Sequence, residues 1–257
     1  MSEPRARAAR RPGRAHSQHF LRSRALAAEL VRDSGVGPVD LVLDLGAGSG
    51  RLTAELARAA RHVLAVELDP DLAGRLRGRW ANVDVVQGDA AVVRLPCEPF
   101  RVVANLPFEG ATAILRHLLD DPRVPLQRAD VIVEWGVAVK RALPWPSTVN
   151  DVVWGGWYET SVTRRLPRSV FEPPPRVDAG VLVFERRTEP LVPAPSWESY
   201  RRFVAAGFRR GPRSVAAPRA LRGLGLTRAG ARELDAYQWA ELFSRSRRSD
   251  SSRSSSR

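Results

Sequence analysis

The chain has 257 residues, 44% of them hydrophobic and 27% charged, enough to bury a core and too apolar for a disordered chain. Lys and Arg outnumber Asp and Glu by 41 to 28, a formal charge of +13 that points to a polyanionic partner. Cys97 is the only cysteine, which excludes an internal disulfide and a cysteine zinc cluster, and no apolar run is long enough to cross a membrane.

Residues 1–17 read as a flexible basic arm. Arg5, Arg7, Arg10, Arg11 and Arg14 are followed by no apolar stretch, so the segment is not a secretory signal, and phosphate contact is its expected role. Residues 19–34 carry Leu21, Ala25, Ala28 and Val31 at helical spacing and end at Gly35 and Gly37. Residues 40–44 read as a buried strand, 51–61 as a helix and 62–67 as a second strand. A helix over 71–80 and a third strand over 83–87 follow, then a fourth strand over 101–105, a helix over 111–119 and a fifth strand over 129–135. Such alternation predicts a mostly parallel sheet covered by helices on both faces. Beyond Trp154 the pattern changes to strands over 160–165 and 177–184, interrupted by Pro173-Pro174-Pro175. A Pro-rich linker over 188–195, a small helical unit over 197–243 and a Ser/Arg tail complete the chain.

Three strand ends carry ligand-binding chemistry. Asp44-Leu45-Gly46-Ala47-Gly48-Ser49-Gly50 turns the first strand into a helix, and glycine there lets backbone approach a ligand. Glu67 closes the second strand about twenty residues further on, the spacing of an acid that accepts ribose hydroxyls; a nicotinamide site has the same spacing. Asp89, after the third strand, offers an acceptor for an adenine amine. Each has a structural alternative: Asp44 holding the turn, Glu67 on the surface, Asp89 capping a helix.

Asn105-Leu106-Pro107-Phe108 follows the fourth strand. An exocyclic adenine amine is a poor nucleophile, so its methylation needs alignment more than a strong base. The Asn105 side chain and the Leu106 carbonyl are two acceptors for that amine. Pro107 stiffens the loop and brings no competing N–H, and Phe108 offers a flat face to an unstacked base. Out of context the tetrapeptide reads as a turn; behind a glycine loop it reads as a catalytic motif.

The order Gln18-His19-Phe20-Leu21, the glycine loop, Glu67, Asp89, Asn105 to Phe108, then Val170-Phe171-Glu172-Pro173-Pro174-Pro175-Arg176-Val177-Asp178 resembles the rRNA adenine N6-methyltransferase family over roughly residues 14–243. Glu134-Trp135-Gly136-Val137-Ala138 and Trp154-Gly155-Gly156-Trp157-Tyr158-Glu159 look like segments of its Erm branch in high-GC actinobacteria. The resemblance implies a class I, Rossmann-like α/β fold with a small C-terminal helical domain, and S-adenosyl-L-methionine as cofactor with no metal. It implies methylation of N6 of one adenine in 23S rRNA, with resistance to macrolide, lincosamide and streptogramin B drugs. The domains would be the arm over 1–17, the methyltransferase domain over 18–187, a helical RNA-binding domain over 188–243 and a disordered tail over 244–257.

By position, His19 and Leu21 would line the methionine end of the cofactor. Gly46 and Gly48 would approach its backbone, Glu67 its ribose and Asp89 its adenine amine, with Asn105 also in the cofactor site. Asn105 and Leu106 would hold the target amine, Phe108 would stack on the target base and Phe171 would touch its other side. Many relatives carry Asn at His19. Arg164, Arg165 and Arg168, and Arg201, Arg202, Arg209, Arg210 and Arg213, are candidate phosphate contacts. A cytoplasmic monomer without membrane contact is expected. The competing readings are the small-subunit rRNA dimethyltransferase, a DNA adenine-N6 methyltransferase, against which Leu106 stands between Asn and Pro, a non-catalytic nucleic-acid binder of the same fold, and a small-molecule methyltransferase.

Overall fold

The computed structural model describes residues 19–254, with side chains through residue 247. The basic arm lies outside the described residues. A short strand β1 (Phe20–Leu21) comes first, and α1 (Arg24–Asp33) starts later than periodicity predicts because Ser23 caps it, its hydroxyl accepting from Leu26 N–H at 3.2 Å. β2 (Leu41–Leu45) is buried at every residue. Leu41, Leu43 and Leu45 face one side of the sheet and Val42 the other, as strand alternation requires. The first side is covered by α4 (Ala111–Leu119) through Ile114, Leu115 and Leu118; the second by α1 and by α2 (Arg51–Ala59) through Leu26, Leu30, Leu52 and Leu56. Truncating a leucine such as Leu43, with no exposed surface, costs about 3 kcal/mol.

The remaining elements of the sheet domain are β3 (His62–Glu67), α3 (Pro70–Leu76), β4 (Val83–Gln87), β5 (Phe100–Asn105), β6 (Leu126–Glu134), α5 (Trp135–Arg141), α6 (Val149–Gly155), β7 (Tyr158–Leu166), β8 (Phe171–Glu172) and β9 (Ala179–Arg186). The main sheet runs β4-β3-β2-β5-β6-β9-β7, parallel from β4 to β6, with β9 antiparallel to both neighbours. Placing β9 between β6 and β7 uses its continuous apolar run, buried from Ala179 to Phe184. The helices α5 and α6 were not expected. α6 has a sequence signal, the Thr148/Asp151 capping box, whose reciprocal bonds are both formed. α5 directly continues the apolar strand β6, so periodicity does not separate the two. Cys97 is exposed in the loop before β5.

The helical unit comprises α7 (Trp197–Arg210), α8 (Pro218–Gly223) and α9 (Ala236–Ser254). Its Tyr200, Val204, Trp239 and Phe243 share one core with Trp154, Trp157 and Val192, so it is joined to the sheet domain by burial. Gly207 makes that packing possible: a Cβ there would lie 2.4 Å from the Trp239 ring. The helix α9 continues past 243 to Ser254, where the sequence reading places a disordered tail. No Gly or Pro interrupts it, and Arg245 pairs with Glu241 at 2.7 Å, one helical turn away.

Candidate active site

A cavity of about 330 Å³ opens at the C-terminal ends of β2, β3, β4 and β5. Such an edge, where crossovers leave the sheet, is where open α/β sheets bind ligands. Its floor is the glycine turn. Gly46, Gly48 and Gly50 have φ of +79°, +55° and +77°, values that disfavour any side chain. Gly46 N–H and Ala47 N–H both donate to the Val66 carbonyl, at 2.8 and 3.0 Å, drawing the turn onto β3. A Cβ on Gly48 would lie 2.6 Å from the Phe20 ring, so Phe20 packs directly on the turn and borders the cavity. The sequence reading did not single out Phe20.

Glu67 is 3% exposed and holds the turn through Oε2, which accepts from Gly48 N–H at 2.7 Å, while Oε1 accepts from Asp69 N–H at the start of α3 at 2.9 Å. Each carboxylate oxygen retains a second acceptor position, so Glu67 anchors the turn and keeps acceptor capacity beside the cavity. Asp89 is exposed at the cavity rim, and its Oδ1 accepts from Ala91 N–H at 2.8 Å. It caps a turn, not the helix of its structural alternative, while still lining the cavity. The apolar wall comes from Leu106, Ala113 and Ile114. Beneath the turn Asp44 is 1% exposed and accepts from Thr53 Oγ1 at 2.6 Å. Burial raises its pKa to about 7; the Thr53 bond opposes the shift and the Glu67 charge adds to it.

Asn105 ends β5 and faces the cavity. Its Nδ2 donates to the His19 carbonyl at 2.7 Å, which fixes the amide so that Oδ1 is the remaining acceptor. That Oδ1 is buried with no hydrogen-bond partner. An orphaned buried acceptor costs about 1–3 kcal/mol, and at a cavity wall it calls for a donor from a ligand. Leu106 donates its N–H to the Ile132 carbonyl at 3.1 Å, and Pro107 and Phe108 line the mouth.

The aromatic residues divide differently from the expected pattern. Phe108 faces the cavity, with the His19 ring 5.4 Å away and tilted by 52°. Phe171 is fully buried and meets Phe108 edge-on at 6.5 Å. It therefore supports Phe108 from behind and does not reach the cavity. Leu21 is 3% exposed and turned into the core, bordering only a crevice of about 20 Å³ beside Asp44 and Gly46. Successive residues of a strand face opposite ways, so Phe20 takes the cavity side. His19 lines the cavity, with Nδ1 2.8 Å from the Pro173 carbonyl.

Several expected phosphate-binding arginines are already engaged. Arg164 pairs with Glu29 and Asp33 of α1, Arg201 with Asp120 and Asn150, and Arg213 with the Thr227 carbonyl. Arg168, Arg202, Arg209 and Arg210 are exposed.

The strand order and the glycine turn with acids at the next two strand ends define a class I S-adenosylmethionine-dependent methyltransferase. The residues fit that cofactor: a backbone cradle that no side chain fills, carboxylate acceptors at Glu67 and Asp89, and an apolar wall for an adenine ring. Residues 12–220 match the family described as ribosomal RNA adenine dimethylase, and the chain belongs to it. It is 35% identical over 75% of its length to an rRNA adenine N-6-methyltransferase of Corynebacterium diphtheriae, spanning 76% of that protein. It is 36% identical to the mycinamicin-resistance protein MyrB of Micromonospora griseorubida, covering 86% of the chain and 68% of MyrB. It is also 36% identical to the ribosomal RNA small subunit methyltransferase A of Streptomyces avermitilis, over 77% of the chain and 71% of that protein. The crystal structure of the 23S rRNA methyltransferase ErmE superposes with a TM-score of 0.74 at 30% identity, covering 88% of this chain and 98% of that one. The chain is thus an S-adenosylmethionine-dependent rRNA adenine-N6 methyltransferase.

Proposed function

We propose that the chain methylates N6 of a single adenine in 23S rRNA and thereby protects ribosomes from macrolide, lincosamide and streptogramin B drugs. The observation that carries the adenine chemistry is the buried, unpartnered Oδ1 of Asn105 at the cavity wall. Similarity to ErmE and MyrB favours the large-subunit reading. The equal identity to a small-subunit methyltransferase keeps that substrate as the second reading.

The cofactor supplies an electrophilic methyl group on a sulfonium with a neutral leaving group. The chain supplies alignment. Gly46 and Gly48 bring backbone to the cofactor, Glu67 accepts from its ribose and Asp89 from its adenine amine. Asn105 Oδ1 and the Leu106 carbonyl accept the two N–H bonds of the target amine, which turns the nitrogen lone pair out of ring conjugation. Phe108 holds the extruded base by stacking, with Phe171 fixing the Phe108 ring. His19 ties the segment beside Asn105 to the Pro173 carbonyl. Exposed arginines of the helical unit grip phosphates, which gives that unit its RNA-binding role. The enzyme acts as a cytoplasmic monomer.

The test is methylation of protein-free 23S and 16S rRNA with labelled cofactor, with the modified nucleotide mapped by reverse-transcription stops. A single stop in the 23S peptide-tunnel region, lost in Asn105→Ala, is the expected result. Label confined to small-subunit rRNA would move the enzyme to the second reading.

A further inference from the structure

Extruding an adenine from folded RNA breaks its stacking with both neighbours, so a flanking base needs a new partner or its stacking is lost. The cavity provides one aromatic face, Phe108, for the target itself. A second stacking surface lies on the same sheet edge. Ile132 of β6 is in register with Asn105, and the strand ends two residues later, at Glu134, directly before Trp135. Two strands across, Arg165 of β7 lies opposite Gly180 of β9, which in turn lies opposite Val133 of β6. The Arg165 guanidinium sits over the Trp135 ring, 5.0 Å from its centroid.

The arrangement is built and pinned. Gly180 makes room for the ring, since a Cβ there would lie 3.0 Å from Trp135 Cε3. Asp178 holds both members: its carbonyl accepts from Trp135 N–H at 2.8 Å, and its Oδ2 accepts from Arg165 Nε at 3.0 Å. Its Oδ1 accepts from Arg168 N–H at 2.9 Å, which ties the Asp178 carboxylate to the turn after β7. The Arg165 side chain nevertheless stays 59% exposed, and Val177 beside it is 46% exposed. A guanidinium plane fixed by one carboxylate, backed by an indole and open to solvent, is a stacking surface for a nucleobase.

We infer that the Trp135–Arg165 stack binds the base of an unpaired nucleotide flanking the target adenine, and so helps decide which adenine is presented to Asn105. The inference rests on the reading that the substrate is an rRNA adenine. Neither residue touches the reacting atoms; both act by positioning the RNA.

The test is a cycle of kcat/KM measurements on an rRNA hairpin containing the target adenine and on hairpins made abasic at each flanking position in turn. Arg165→Lys keeps the charge and removes the planar face; Arg165→Ala removes both. Each is expected to lower kcat/KM about tenfold on the intact hairpin. On the hairpin lacking the flanking base, the loss for Arg165→Lys should shrink to less than twofold. Trp135→Phe should restore most of the activity lost in Trp135→Leu, and cofactor Kd should stay unchanged throughout, which excludes misfolding. An equal loss on intact and abasic hairpins, or an Arg165→Lys enzyme equal to wild type on both, overturns the inference. The hairpin is drawn from whichever rRNA the wild-type enzyme labels. A small-subunit substrate therefore corrects the proposed target without touching the stack, whereas no labelling of either RNA sinks both.

Discussion

Two cavities, each of about 330 Å³, open at opposite ends of the same sheet. The one at the C-terminal ends of the parallel strands is largely apolar, holds an unpartnered buried acceptor at Asn105, and is floored by a turn that tolerates no side chain. The other, at the starts of β5 and β6 and the end of β9, is lined by Arg101, Arg128, Glu185 and Arg186. There the charges are spent on the protein itself. Arg101 donates to the Ser34 and Gly35 carbonyls and Asp40; Arg128 pairs with Asp130 through two nitrogens; Arg186 donates to the carbonyls of Leu126, Pro122 and Val124 and to Tyr158 Oη. Equal volume and abundant charge therefore do not mark a site. What separates the two ends is the kind of group left wanting a partner: the second leaves the Nε of Arg101, a guanidinium already held through its other nitrogens by Gly35, Asp40 and Ser34, whereas the first leaves an acceptor, Asn105 Oδ1, on a wall shaped for a flat ligand.

The comparison breaks most directly at Asn105. Asn105→Ala is expected to lower kcat by about 10²–10³-fold with a cofactor Kd changed only a few-fold, read from single-turnover methylation and cofactor titration. A loss confined to cofactor affinity would return Asn105 to a purely structural role. Asp44 tests the floor of the same cavity. Its folded pKa, near 7, lies above the ordinary carboxylate value, so the folded state retains a proton that the unfolded chain has lost. Stability should therefore fall as pH rises from about 4 to 7, by on the order of 4 kcal/mol from this group. Asp44→Asn should flatten that decline in a series of melting curves; parallel curves for the two proteins would contradict it.

At the opposite end, Arg186→Ala should destabilise the fold by about 2 kcal/mol in urea unfolding, by abandoning several carbonyls at once, while kcat holds at permissive temperature. A kcat loss without a stability loss would mean that the two ends are coupled. The smallest effect belongs to Arg164→Ala. Its side chain is 38% exposed and committed to Glu29 and Asp33, so stability should change by less than about 1 kcal/mol. The salt dependence of RNA binding should not change, whereas Arg168→Ala should reduce that slope by about one.

The functional end of the molecule was the more readable one. The strands that build it follow one another in sequence and end in residue types whose chemistry is local: glycines at a turn, acids at strand ends, Asn-Leu-Pro-Phe after a strand. The misreadings at the cavity share one cause. Phe20, Leu21 and Phe171 are placed by the pairing of β1 with β8, which joins residues far apart in sequence and leaves no local periodicity. The same distance hid the engagement of Arg164 with α1 and of Arg201 with Asp120. Glu67 was recognised as an acceptor, but not as the clamp on Gly48.

That β1–β8 pairing also sets an order of assembly. Leu21 lies opposite Phe171 and Phe20 opposite Glu172, His19 reaches the Pro173 carbonyl, and the His19 carbonyl holds the Asn105 amide. A growing chain that has passed Ile114 already contains the glycine turn, Glu67, Asp89 and the apolar wall, yet the wall behind Phe108 does not exist until residues 171–173 have left the ribosome. Contacts of such long sequence separation form late, after the local ones have condensed. The wall beside Phe108 is thus withheld until the whole sheet domain has been synthesised, and no shorter nascent fragment can present a finished one.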